Sequence, residues 1–150
     1  MNKNLYGELH MTYLSKPNFV RNAANIASVL FSIFIIVQLL VAAGIIPISI
    51  LWGGRQPELT PSLRVTSVVA AVILGVFIYI IRYRAGLVGR VPQPIIIRVL
   101  AWVVTGYMVL NTLGNFASAS NVERFLFGPM TIVMAVTSLI VAASPVRLGK

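Results

Sequence analysis

The stretch between Arg21 and Arg55 carries no charged side chain, and this gap limits the possible folds more than any other feature of the chain. Three further uncharged gaps follow, at residues 65–81, 99–122 and 125–146. A helix needs about 20 mostly apolar residues to cross the hydrocarbon core of a bilayer. The shortest gap is bounded by arginines, whose long side chains extend their charged heads toward water. We therefore predict four membrane-spanning helices.

The composition leads to the same fold class. Hydrophobic residues make up 58% of the chain and charged residues only 10%, whereas water-soluble domains usually carry about 25% charged residues. Because the chain cannot coat its surface with charge, we predict an all-α, four-helix transmembrane bundle that forms one integral membrane domain over residues 1–150. The predicted spans are 22–46, 63–83, 99–118 and 125–144. The chain has no cysteine, so disulfides and thiolate ligands are excluded.

The distribution of basic residues predicts the orientation of this bundle. Four spans put both termini on one side, together with the middle loop. That side receives the basic residues Lys3, Lys16, Arg21, Arg82, Arg84, Arg90, Arg98, Arg147 and Lys150. The other side receives Arg55, Arg64 and Arg124. Since basic residues are enriched on the cytoplasmic side, we expect cytoplasmic termini in a multi-pass protein of the cell membrane.

The same basic residues bear on the partners of the protein. The net charge of +9 is interpreted as anchoring at an anionic lipid surface, so membrane lipids are the expected partners. Nucleic-acid binding is disfavoured because the basic residues are scattered among apolar spans. A homo-oligomer or a partner membrane protein remains open.

Two segments outside the spans have their own patterns. In residues 1–21, Leu5, Leu9 and Tyr13 recur every four positions, which predicts a short interfacial helix ended by Pro17, or else a frayed terminus. The connection 47–62 is too apolar for a free loop. We expect it to dip into the membrane interface with Trp52 at headgroup depth, as a structured lid or as an ordinary turn.

Polar residues interrupt the third span on one helical face. Tyr107, Asn111, Gly114, Asn115 and Ser118 share this face. Polar side chains within a bilayer usually face protein and often mark function. They indicate either interhelical hydrogen bonds, which contribute about 0.6 kcal/mol on average, or the wall of a polar cavity.

These polar groups are expected to converge on the half of the bundle away from the termini. We predict a pocket there that opens outward, is roofed by Trp52 to Arg55, and is rimmed by Arg64, Glu123 or Arg124. Gln38 of the first span is the expected hydrogen-bond partner of the third span. The candidate ligand-binding residues are Gln38, Trp52, Arg55, Arg64, Tyr107, Asn111, Asn115 and Glu123. The predicted ligand is a lipid-like or small apolar molecule, or a partner membrane protein.

Small residues repeat along two spans. Ser67, Ala71 and Gly75 form one seam and Thr131, Ala135, Ser138 and Ala142 another, which predicts close helix packing. We expect leucine at Gly75 or Gly114 to push a neighbouring helix away. An alternative function, an oligomeric transporter or channel subunit, would use these seams as subunit interfaces.

The inventory of reactive side chains argues against catalysis. His10 is the only histidine, and the only acids are Glu8, Glu58 and Glu123. We therefore predict no catalytic residue, no metal site and no cofactor. Glu58 and Glu123 have arginines close in sequence, which favours ion pairs. A lipid-modifying enzyme is the least favoured alternative because no acid or histidine falls within a span.

Several short motifs carry a resemblance to a known group of proteins. They are Trp52-Gly53-Gly54, then Leu63-Arg64-Val65-Thr66-Ser67, then Leu110-Asn111-Thr112-Leu113-Gly114-Asn115, and finally Ser118, Glu123-Arg124-Phe125 and Pro129. With them the chain resembles an uncharacterised family of small prokaryotic four-helix integral membrane proteins, over roughly residues 44–143. The resemblance implies the four-span layout and transfers no activity.

Overall fold

Four long helices make up most of the chain in a computed structural model, which describes residues 17–90 and 92–145. They are α1 (Pro17–Ala42), α2 (Pro61–Arg84), α3 (Ile95–Phe116) and α4 (Gly128–Ala143), the last continuing from a π-helical turn at Glu123–Phe127. The described ranges contain no β-strand. Each helix, with α4 counted from Glu123, is long and apolar enough to cross a membrane. The predicted all-α, four-helix transmembrane bundle is confirmed.

The helix boundaries differ from the predicted spans at turn-forming residues. Helix α1 runs over Pro17–Ala42 rather than 22–46, because the chain turns at Gly44, whose φ is +78°. Pro17 is the first residue of α1, where its missing N–H costs little. The interfacial helix predicted before Pro17 lies outside the described residues.

The start of the fourth helix was also predicted imperfectly. A π turn precedes α4, and Pro129 lies at the start of α4 itself. Proline in a regular helix clashes with the carbonyl four residues earlier, which here belongs to Phe125. The wider π turn relieves this clash, so the chain is helical from Glu123 although the regular α-helix begins at Gly128.

The helices pack unevenly around the bundle axis. Helix α1 packs on α2 and α4, and α3 packs on α4, whereas α2 and α3 touch much less. In the core, the rings of Phe31 and Phe77 meet edge to face at 6.0 Å, and those of Phe34 and Phe127 lie 5.0 Å apart. The gap between α2 and α3 is therefore the weak side of the bundle.

The small-residue seams lie inside the bundle only in part. Ser67, Thr131 and Ser138 are fully buried. A Cβ added at Gly75 or Gly114, however, would meet no other atom within 4 Å. The prediction that leucine at these glycines would displace a neighbouring helix is therefore wrong, because both glycines border open space.

One end of the bundle is held by a buried arginine, and we call it the Arg84 end. Arg84 is only 2% exposed. Its guanidinium donates to the carbonyls of Ala142, Ser144 and Pro145, and to Gln93 Oε1. These carbonyls lie at the C-terminus of α4, where a positive charge complements the helix dipole. Arg84 thus fixes the end of α4 to α2.

Candidate functional site

At the opposite end, which we call the loop end, the connection between α1 and α2 docks on the turn between α3 and α4. It contains two short 3-10 turns, Ile48–Ile50 and Trp52–Gly54. The Ala119 N–H donates to Gly53 O at 3.1 Å, and the Ser120 hydroxyl donates to Ile50 O at 3.0 Å. The indole N–H of Trp52 donates to Ser67 Oγ at 3.3 Å. These bonds fix the connection to α2 and to the turn between α3 and α4.

The backbone of this connection reverses through three consecutive left-handed residues. The φ angles of Trp52, Gly53 and Gly54 are +56°, +81° and +69°. This region costs a non-glycine residue roughly 1–2 kcal/mol, so Trp52 holds a strained conformation. At Gly54 there is a second constraint, since an added Cβ would lie 2.5 Å from Ser120 N. The reversal presses the backbone at Gly54 against the α3–α4 turn.

A cleft of about 450 Å³ lies beneath this connection, between α2 and α3. Small-molecule sites typically occupy about 300–1,000 Å³ and have mostly apolar walls with a few polar groups. The cleft has both features. Its lining residues are Phe34, Gln38, Leu51, Trp52, Gly53, Thr66, Val69, Ala70, Ile73, Leu74, Tyr107, Asn111, Gly114, Asn115, Glu123 and Phe127.

The mouth of the cleft faces sideways. Val69 and Ile73 of α2 are 49% and 42% exposed, and Tyr107 of α3 is 48% exposed. Trp52 and Gly53 cover the loop end, and the Phe77–Tyr107 ring contact at 5.2 Å lies at the other limit. The exposed rim therefore lies between α2 and α3, on a surface that lipid would cover in a membrane. We therefore assign the mouth of the cleft to this lateral side, whereas the sequence predicted an outward opening.

Glu123 enters the cleft from the start of the fourth helical segment. Its side chain is 8% exposed, and its Oε2 atom accepts from the Gly53 N–H at 2.9 Å and from the Ser118 hydroxyl at 2.5 Å. Arg124 does not pair with it, because its guanidinium donates to Ser118 O at 2.6 Å. In the part of the chain that the structure describes, the expected ion pair of Glu123 is replaced by neutral donors.

The two asparagines of α3 both line the cleft. Asn115 is 7% exposed and its Nδ2 donates to Thr131 Oγ1 on α4 at 3.5 Å. Thr131 in turn donates to Gly128 O at 2.8 Å. Asn111 lies one turn away and is half-buried. Asn115 therefore fits both interpretations of the polar face, because it makes a hydrogen bond between helices and also lines the cleft.

Gln38 also lines the cleft, but its predicted hydrogen bond to the third span is absent. Its Oε1 atom is buried and has no hydrogen-bond partner among the described residues. A buried acceptor left without a donor costs about 1–3 kcal/mol. The wall of the cleft therefore carries a polar group that does not stabilise the fold.

The structure brings most of the predicted site residues together. Gln38, Trp52, Tyr107, Asn111, Asn115 and Glu123 all line the cleft. Arg55 and Arg64 do not. Arg55 is exposed beyond the loop, and Arg64 donates to Ala42 O at 2.7 Å, so it caps the end of α1.

Sequence reasoning missed the apolar part of the site. Leu51, Val69, Ile73 and Leu74 belong to the walls, but the same residue types also face lipid along these helices, so no pattern distinguishes them. A usable signal was present at Ser120-Asn121-Val122-Glu123, which has the spacing of a helix capping box. The Ser120 hydroxyl does accept from the Glu123 N–H, at 3.3 Å.

The described part of the chain contains no group of three His, Cys, Asp or Glu side chains that could hold a metal ion. Comparison with protein-family models, with curated proteins and with solved structures finds no match to this chain. The function of the cleft must therefore be argued from its own residues.

Proposed function

We propose that this is a small membrane protein that binds a lipid-like or small apolar molecule in the cleft between α2 and α3. The observation that carries the proposal is the cleft itself, which combines apolar walls with polar groups gathered near its covered end. Val69, Ile73 and Leu74 offer an apolar surface, while Asn115 and Glu123 lie close to the loop end. This division suits an amphiphile with its tail between the helices and its head near the membrane surface.

The lateral mouth supports the same ligand class. A molecule dissolved in the bilayer reaches a gap between α2 and α3 without leaving lipid. Water-soluble ligands would have to pass the Trp52–Gly54 turn, which is held by hydrogen bonds to α2, to the α3–α4 turn and to Glu123 of the fourth helical segment. Entry from the bilayer therefore requires less rearrangement.

Fluorescence of Trp52 tests the proposal. The chain has two tryptophans, and only Trp52 lines the cleft. In a Trp102→Phe variant, an alkyl alcohol with a bromine on its chain should quench Trp52 fluorescence saturably, because bromine quenches tryptophan at contact. The matched control is Trp52→Phe, which retains Trp102 on α3, 47% exposed. Quenching of Trp102 should increase without saturation, and identical curves for both variants would contradict binding in the cleft.

The alternative of an oligomeric transporter or channel subunit is supported by only part of the seams. Ser67, Thr131 and Ser138 are buried within one bundle, so they are not free to form subunit interfaces. No other described feature favours a conducting path. Lipid modification likewise has no second acid or histidine in the cleft to act with Glu123.

We also propose that the Arg84 end faces the cytoplasm, on the basis of the distribution of basic residues. The chain has no cysteine, so single cysteines report each end. Gln56 and Val88 are exposed at opposite ends. A membrane-impermeant thiol reagent should label Gln56→Cys in intact cells and Val88→Cys only after permeabilisation. Equal labelling in intact cells would refute this orientation.

A further inference from the structure

We infer that the cleft selects an amphiphile with a positively charged headgroup, and that the Glu123 carboxylate is the group that recognises it. This inference rests on the proposed binding function and names the class of its ligand. It depends on the hydrogen-bond partners of Glu123, on the hydrogen-bond partners of the nearby arginines, and on the side chains that surround the carboxylate.

The carboxylate of Glu123 is engaged through only one of its oxygens. The Gly53 N–H and the Ser118 hydroxyl both donate to Oε2. No described residue donates to Oε1, and this atom is not fully enclosed by protein. Glu123 lines the cleft, so this oxygen is the one open to a ligand there.

The local turn would ordinarily engage this carboxylate. In a capping box, the glutamate side chain reaches back to the N–H of the serine three residues earlier. Here the Ser120 N–H donates instead to Ser118 Oγ, at 2.9 Å. Because Ser118 takes over the capping role, Glu123 is directed toward Gly53 and the cleft.

None of the arginines at the loop end neutralises Glu123. Arg124 donates to Ser118 O, Arg64 donates to Ala42 O, and Arg55 is exposed outside the cleft. Among the described residues, none that lines the cleft is a lysine, an arginine or a histidine. The carboxylate therefore has neutral hydrogen-bond donors and the N-terminus of the fourth helical segment beside it, but no ion-pair partner in the part of the chain that the structure describes. A bound cation would supply that partner.

The aromatic lining favours the same class of headgroup. Trp52 lines the cleft at the same end as Glu123, and the face of an indole ring attracts ammonium groups. The overall charge of the protein acts in the opposite direction, since +9 repels cations and attracts anions. A preference for a cationic amphiphile would therefore originate in the cleft and not in the general field of the protein.

The experiment compares three probes that share one bromine-bearing alkyl chain and end in a primary ammonium, an alcohol or a carboxylate. Quenching of Trp52 is measured in the Trp102→Phe protein, in an uncharged detergent. The ammonium should bind about tenfold more tightly than the alcohol, as expected for a charge-assisted hydrogen bond. The carboxylate should bind most weakly.

Two substitutions assign the preference to Glu123. Glu123→Gln should weaken ammonium binding about tenfold more than it weakens alcohol binding. Saturable binding of the alcohol to this variant shows that the cleft is intact. The matched control is Glu58→Gln, an exposed acid on the same end that does not line the cleft. It should change neither affinity.

Each outcome supports or overturns the inference. If the alcohol binds saturably and the ammonium binds no more tightly, the headgroup inference is wrong while the proposed function stands. If Glu123→Gln weakens the binding of the ammonium and of the alcohol equally, Glu123 only stabilises the fold and the inference is overturned. If no probe quenches saturably, the proposed function fails as well. If Glu123→Gln does not fold, the order of the three probes on the parent protein decides.

Discussion

A buried charged residue lies against each end of the fourth helical segment, and the two residues make different contacts. Glu123 begins the segment at the loop end and is 8% exposed, while Arg84 contacts its C-terminus and is 2% exposed. Both charges complement the helix dipole, which favours an anion at the N-terminus and a cation at the C-terminus. If the helix dipole were the only interaction, both residues would be assigned a role in stabilising the fold.

The surroundings of Arg84 and Glu123 indicate different roles. Arg84 donates to three carbonyls and to the side chain of Gln93, and it does not line the cleft. Glu123 accepts hydrogen bonds on one oxygen and borders a cavity of about 450 Å³. A buried charge enclosed by its own chain holds the fold together, whereas a buried charge beside a cavity is available to a ligand. The following substitutions are ordered by their expected effect on the free energy of unfolding.

Removal of the Arg84 guanidinium should have the largest effect. Arg84→Met leaves the carbonyls of Ala142, Ser144 and Pro145 without their charged donor. Since hydrogen bonds to charged groups contribute about 1.5–3 kcal/mol each, we expect a loss of about 3 kcal/mol or more in the free energy of unfolding. Thermal unfolding in detergent measures it. Arg90→Met, at an exposed position, is the control, and an equal loss there would show that Arg84 does not hold this end.

Two adjacent glycines test how the loop end is assembled. Gly54→Ala should cost about 3 kcal/mol, because the added Cβ meets Ser120 N at 2.5 Å and the left-handed backbone is strained. Gly53→Ala should cost only about 1 kcal/mol, since its φ is also positive but its Cβ meets nothing within 4 Å. Denaturant or thermal unfolding compares them. Equal costs would mean that the connection is not pressed against the α3–α4 turn.

Gln38 tests whether the cleft is kept polar at the expense of stability. Gln38→Leu removes a buried oxygen that has no donor, so the free energy of unfolding should rise by about 1 kcal/mol. Ser32→Ala, on the same helix, removes a hydroxyl that does bond to Ser28 O and should give no such gain. A large loss of stability in Gln38→Leu would show that the amide has a structural partner.

Gly114 should separate binding from stability most clearly. Gly114→Leu adds a side chain where a Cβ meets open space at the cleft, so it should change the free energy of unfolding by less than about 0.5 kcal/mol and abolish saturable quenching of Trp52. The control, Gly106→Leu, lies on the same helix, also in open space, and outside the cleft. Gly106→Leu should change neither the free energy of unfolding nor the quenching of Trp52. The same quenching result for both variants would contradict a mouth of the cleft between α2 and α3.

Much of the fold was predictable because charge alone marks the spans. Arginines, and Glu123 at one boundary, flank the uncharged stretches, so four helices follow from the sequence without packing information. The polar face of α3 was predictable for a related reason. Asn111 and Asn115 are conspicuous in an apolar helix, and period 3.6 places them beside Tyr107. Gln38 was placed near them by its depth along α1.

The remaining features depend on contacts that the sequence does not encode locally. Arg55, Arg64 and Glu123 all lie near the loop end, but only the three-dimensional course of the 43–60 connection decides that Glu123 enters the cleft and Arg64 caps α1. Gly75 and Gly114 have the spacing of packing contacts, yet both border open space. The lateral mouth lies between α2 and α3 because these helices touch much less than the other neighbouring pairs, and no residue pattern in either helix predicts this.

Native mass spectrometry of the protein released from a membrane mimetic tests the central claim most directly. We predict single chains of the unsubstituted protein carrying one lipid-like molecule, retention of that molecule in Gly106→Leu, and its loss in Gly114→Leu. A bound molecule that persists equally in Gly114→Leu, or a ring of chains with nothing bound, would contradict a ligand site between α2 and α3.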